Sequence, residues 1–325
     1  MTHFVILAVC SAFLIWFMVS NLTALAYQLL RSSFWKMSAG NHIQVLLLII
    51  GISSAVSLSS VIFSLKGSLD VWIFNELDHC LSHGSFHLHL CINHLQQNWN
   101  WHGIIFILIL FLLFNKGLFR FGLRTWRYIF HQREIFWIST RMNSYHRIDL
   151  DQPMIFSMGF FRPQIFISRG MKELVGDSDL KILMDHEESH VIYRDSLTKW
   201  LIRILSSCFF NQSLINRDLR LRIEQRADQH ALSKGAKFAD LKALILRFSS
   251  SEHPNLEVPS TNGLCEIHST ERVRLLEDEI TDKSDFRVLY AFSLVALSTL
   301  SFVQFKNSTA LHHFLEASWS FLISQ

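Results

Sequence analysis

Apolar residues are unevenly spread along the chain and gather into four long runs. Phe4 to Leu30 holds no charged residue, and His42 to Leu65 is apolar with scattered Ser. Ile104 to Phe114 is almost pure Ile, Leu and Phe and extends to about Trp101 and Phe121, while Phe286 to Phe305 carries one charge, Arg287. A helix needs ~20 mostly apolar residues to cross a bilayer, so the pattern predicts four transmembrane spans. No basic segment precedes the first run, and its apolar stretch is longer than that of a signal peptide, which predicts a permanent span.

Between the third and fourth runs the patterning changes. Residues 122–285 hold all four prolines, at 153, 163, 254 and 259, as expected of a folded domain outside the bilayer. "EIFWIST" (134–140) and "QIFISR" (164–169) are short, partly alternating and rich in Ile and Phe, and predict strands. "MGFFRP" (158–163) predicts the turn between them. A helix is predicted from Asp177 or Ser178, which can cap it, and apolar residues at 197, 200, 201, 204, 205, 208 and 209 mark the face of a second. A third spans about Leu214 to Lys234 and stops before Gly235. A loop with Ser and Pro covers 249–263, and a charged helix covers 269–279. Strands followed by helices, without alternation, predict an α+β domain. The strand at 164–169 is expected to form the edge of a cleft to which an extended peptide adds.

Charge orients these elements. Lys and Arg collect in short cytoplasmic loops. Arg31 and Lys36 follow the first run, the loop Gly67 to Asn100 has neither Lys nor Arg, Lys116, Arg120, Arg124 and Arg127 follow the third run, and only Lys306 lies beyond the fourth. The organisation predicted is three spans in 1–121 with an outer loop at 67–100, a cytoplasmic domain at 122–285, a fourth span at 286–305 and an outer tail at 306–325. A net charge of +3 is too small to suggest direct nucleic-acid binding; the basic clusters suit topology and anionic lipid headgroups. The outer loop carries His79, His83, His87, His89 and His94 with Cys80 and Cys91. It reads either as a metal-sensing loop or as a polar loop, with or without a Cys80–Cys91 disulfide.

The domain's chemistry centres on "LMDHEESHVIYRD" (183–195). In H-E-x-x-H on a helix, His186 and His190 share a face and can present two imidazole nitrogens to one zinc ion, with Glu187 beside them as a general base. A catalytic zinc takes a third protein ligand and keeps a position open for water. Glu224, in "RIEQRADQHAL" (222–232), can supply that ligand. Asp228 lies on the same face of the helix and can accept an N–H from a ligating histidine, fixing its ring. His268 and Arg272, in "IHSTERVRLL", are further candidates for oxyanion or substrate contacts, against the plainer reading of ion pairs with Glu271 or Glu277. Asp195 is expected to support its helix by hydrogen bonding.

"FSMGFFRPQIFISRGMKELVGDSDLKILMDHEESHVIYRDSL" resembles the core of the BlaR/MecR-type membrane zinc metallopeptidases. They share a strand with a G-x-x-x-P turn, I-x-x-S-x-G, and a helix with H-E-x-x-H-x-x-x-x-D. "CFFNQSLINRDLRLRIEQRAD" resembles the segment that follows in that family and ends in E-x-x-A-D; Gln212 stands where the family has Pro. The resemblance implies a gluzincin fold in a bacterial plasma membrane, one Zn2+ held by His186, His190 and Glu224, and Glu187 as base. The implied substrate is a transcriptional repressor, the chain itself near "TDKSD" (281–285), or both. Well-known members continue after the fourth span into a penicillin-binding sensor domain; about 20 residues follow here, so a short form without that sensor is expected. Two other readings stay open: a quality-control protease of the HtpX type, which has the same two motifs but usually two spans before its domain, and a non-enzymatic metal-binding sensor.

Overall fold

A computed structural model describes residues 2–64, 122–123, 125–206, 211–249, 262–263, 269–277, 304 and 306. Helix α1 (Thr2–Phe34) and helix α2 (Ala39–Ser64) form an antiparallel pair joined by a short turn. Within α2, Ala39–Ser60 is long and apolar enough to cross a membrane. The runs predicted as third and fourth spans lie outside the described residues, apart from Gln304, as do the histidine-rich loop and its two cysteines. Gln304 donates to Ser60 Oγ at 2.6 Å and so meets the far end of α2.

A helix at 125–138, α3, leads into a five-stranded mixed sheet. The strands are β1 (Ser139–Arg141), β2 (His146–Ile148), β3 (Ile155–Met158), β4 (Gln164–Ser168) and β5 (Asn262–Gly263), in the order β1-β2-β4-β3-β5. Only β2 and β4 pair in parallel. The helices that follow are α4 (Arg169–Leu174), α5 (Asp177–Tyr193), α6 (Asp195–Leu205), α7 (Gln212–Ser233), α8 (Phe238–Ser249) and α9 (Ser269–Glu277). Helices dominate, and the small mixed sheet gives the α+β character.

Two expectations are corrected. "EIFWIST" is helical through Ile138, and β1 begins only at Ser139. A short run of large apolar residues fits a strand or a helix equally by composition, and here it is the last part of α3. "QIFISR" is not an edge: β4 lies between β2 and β3, its ladder filled on both sides. The sheet's other central strand, β3, was implied only by the family resemblance, as the strand that carries the G-x-x-x-P turn, and not by its apolar pattern.

Strand alternation gives the sheet two buried faces. Ile155, Ile165 and Ile167 pack with Met171, Ile182, Leu183, Leu244, Ile245 and Phe248 from the helices. Phe156, Met158 and Phe166 point the other way and pack with Ile148 and with Tyr128 of α3. The β3–β4 turn needs Gly159, at φ 129°: a Cβ there would lie 2.8 Å from Pro163 Cα. Tyr128 Oη accepts the Gly159 N–H at 3.0 Å and fastens that turn to α3. A third cluster joins the paired helices to the domain, with Ala24, Tyr27, Ile43, Leu46 and Ile50 against Ile202, Ile215, Leu219 and Ile223.

Candidate metal centre

Helix α5 turns the polar residues of its second half partly inward. His186, Glu187 and His190 are all buried, although the sequence around them is charged. Such residues are almost never buried without partners, and the partners come from three other elements. Helix α7 lies against α5 and brings Glu224 and Asp228, α6 brings Asp195, and α9 brings Arg272.

One ligand atom from each of His186, His190 and Glu224 lies within 4.8 Å of the others. His186 Nε2 is 3.4 Å from Glu224 Oε2, and His190 Nε2 is 3.8 Å from Glu224 Oε1. Among the described residues, both Nε2 atoms, Glu224 Oε2 and also His186 Nδ1 are buried without a well-directed hydrogen-bond partner. Buried acceptors left in this way call for an explanation. Two imidazole nitrogens and a carboxylate oxygen converging on one point form a donor set suited to zinc.

The opposite ring atoms are held. His186 Nδ1 is 2.9 Å from Asp228 Oδ1, as the spacing on α7 predicts. His190 Nδ1 is 2.7 Å from Asp195 Oδ2. A carboxylate beside Nδ1 keeps a proton there; burial opposes a charge on His186, but Asp228 and Glu224 push its pKa up to about 9, so a metal at the shared point would take the place of the Nε2 proton. Asp195 is held in turn by Arg226, whose guanidinium lies 3.9 Å from the centre of the Tyr193 ring. The sequence reading gave Asp195 only a helix-supporting role. Its grip on His190 depends on Arg194, which sits in the left-handed region at φ 51°, ψ 49° and turns the chain between α5 and α6.

Arg272 is buried, and its close contacts lead into the site. It donates to Asp228 at 3.1 and 2.6 Å, and its Nη1 lies 3.5 Å from Glu224 Oε2. Glu271 pairs with Arg217, and Glu277 with Lys242. His268 lies outside the described residues. Lys199 of α6 places Nζ 3.8 Å from Glu224 Oε1, a cation near the ligand set that the sequence reading did not single out.

Electrostatics follow from this packing. Burial opposes ionisation of Glu224, yet His186, His190, Arg272 and Lys199 hold its carboxyl well below the usual range. Burial likewise opposes the charge on Asp228, and Arg272 and His186 overcome it. Glu187 differs: burial raises its pKa, and the nearby histidines only partly offset this. Glu187 also meets Ser157 of β3, which places the sheet beside the proposed base.

A scan against protein-family models gives no match to this chain, and none of the curated proteins compared matches it.

Proposed function

We propose that the chain is an integral-membrane zinc endopeptidase that cuts peptide bonds on the cytoplasmic side, in signal transduction by cleavage of a repressor or of itself. The observation that carries this reading is the convergence of His186, His190 and Glu224 on one buried point, with Glu187 next to the first ligand.

When bound, zinc would polarise a water molecule and the scissile carbonyl. The chain's own groups would do the rest. Asp228 and Asp195 orient the two imidazoles. Arg272 holds Asp228 and balances the carboxylate charge. Glu187 takes the proton from the attacking water and returns it to the leaving amine; a carboxyl raised by burial is closer to the working pH that a general acid–base needs.

The membrane assignment rests on the apolar stretch of α2 and on the other three runs in the sequence. Arg31 and Lys36 at the turn between α1 and α2 favour a cytoplasmic turn. The domain packs on the turn side of the pair through Tyr27 and Ile43, while Gln304 meets the opposite end of α2. This arrangement agrees with a cytoplasmic domain and an outer end to the fourth run.

The test uses the full chain purified in detergent. Wild type should cleave itself or a protein substrate, and Glu187→Gln should lose at least 100-fold in rate while keeping its zinc. Full activity in Glu187→Gln, with loss in His186→Ala, would favour a metal-binding sensor and end the protease reading.

A further inference from the structure

Helix α7 has a second buried polar face that the proposed chemistry does not use. Asp218 and Arg222 are both fully buried. Asp218 accepts from Arg31 Nε and Nη2, each at 2.7 Å, and from Tyr27 Oη at 2.6 Å. Arg222 donates from Nε to His42 Nδ1 at 2.9 Å, from Nη1 to Gln225 Oε1 at 2.6 Å and from Nη2 to the Trp35 carbonyl at 2.7 Å. Its guanidinium also lies 4.3 Å from the Trp35 ring centre. Because Arg222 donates into His42 Nδ1, the His42 proton sits on Nε2, which faces Tyr27 Oη at 3.2 Å. The result is one continuous circuit, open at Arg31, that runs from Arg222 through His42 and Tyr27 to Asp218 and Arg31.

The circuit has two sides. One is the α1–α2 hairpin, represented by Tyr27, Arg31, Trp35 and His42; the other is two consecutive turns of α7. Two residues after Arg222 comes Glu224, the third member of the candidate metal centre. Gln225, held by Arg222, donates onward to the Leu275 carbonyl of α9 at 3.2 Å. Helix α9 carries Arg272, which grips Asp228 and lies against Glu224.

Apolar packing already joins α7 to the hairpin, and burying an arginine and an aspartate is unfavourable unless each is fully partnered. A bidentate Arg–carboxylate pair fixes orientation as well as distance. We propose that Arg222 and Asp218 are positioning residues, through which the α1–α2 hairpin sets the rotation of α7 and so the placing of Glu224 at the metal. The metal centre then senses the hairpin: a shift of the hairpin turns α7 and changes metal affinity. This rests on the zinc reading of His186, His190 and Glu224.

The experiment measures the zinc affinity of the full chain in detergent, by competition with a chelator, together with thermal melting. Arg222→Met should bind zinc 10- to 100-fold more weakly, the range seen when groups that orient metal ligands are removed. Leu244→Ala, in the core cluster remote from the hairpin, is the control: it should lower the melting temperature and leave zinc affinity within twofold. If Arg222→Met does not fold, Tyr27→Phe decides, with an expected loss of about threefold in affinity. Unchanged affinity in the folded variant, or equal losses in Arg222→Met and Leu244→Ala, overturns the proposal. Wild type that binds no zinc overturns this proposal and the protease reading together, whereas wild-type binding with no effect of the hairpin contacts overturns this proposal alone.

Discussion

At the scale of single residues, the centre depends on how each imidazole is held at the nitrogen that faces away from the shared point. His186 leans on Asp228 and His190 on Asp195. These carboxylates are buried, and each is anchored by an arginine, Arg272 or Arg226. Replacing Asp195 by Ala should lower zinc affinity 10- to 100-fold, measured by chelator competition, with little change in helix content by circular dichroism. The two contacts differed in how readable they were. Four residues separate Glu224 from Asp228, so one helical face carries both, and the motif alone places Asp228 beside the ligands. Asp195 is five residues from His190, which on an unbroken helix would put it about 140° around the axis. Only the left-handed turn at Arg194 brings it back. Non-glycine residues rarely take that conformation, and nothing in "YRD" signals it.

At the scale of elements, α6 was legible because its apolar residues recur with helical spacing, and α7 because it stops before Gly235. The α7 and α9 helices fall within two residues of their expected bounds. The sheet was read less well. Its strands are three to five residues long or shorter, too short for alternation to be distinctive, and both faces are buried, which removes the polar half of the pattern. Ser168 joins this sheet to the helices. Its buried hydroxyl accepts the Met171 N–H at 3.1 Å as the cap of α4 and the Met154 N–H at 2.8 Å from the approach to β3. Ser168→Ala leaves both donors without that partner and should cost about 1–2 kcal/mol, measured by denaturant unfolding in detergent. A loss within a few tenths of a kcal/mol would mean that water replaces the hydroxyl.

At the scale of the whole molecule, hairpin and domain share a core. Ile215, Leu219 and Ile223 of α7 bury against Ala24, Tyr27, Ile43 and Leu46, so the first two apolar runs and the soluble-looking segment are not independent parts. The sequence supported a boundary near residue 121, since composition changes there; that α7 uses opposite faces for the hairpin and for the candidate metal centre was invisible, because charged residues fall on both faces and ordinarily mark solvent. A fragment of residues 122–285, without the hairpin, should therefore expose the Ile215–Leu219–Ile223 face and aggregate, or bind detergent, in size-exclusion chromatography. A monodisperse, zinc-binding fragment would show that the shared core is dispensable.

The central claim is that His186, His190 and Glu224 hold one zinc ion. X-ray absorption on the full chain in detergent, with metal content measured on the same sample, tests it most directly. The expected result is one zinc per chain with two imidazole ligands and oxygen donors, and loss of the metal in His186→Ala and in Glu224→Ala. A wild-type chain that takes up no zinc, or a metal that stays in place when His186 and Glu224 are replaced, would contradict it.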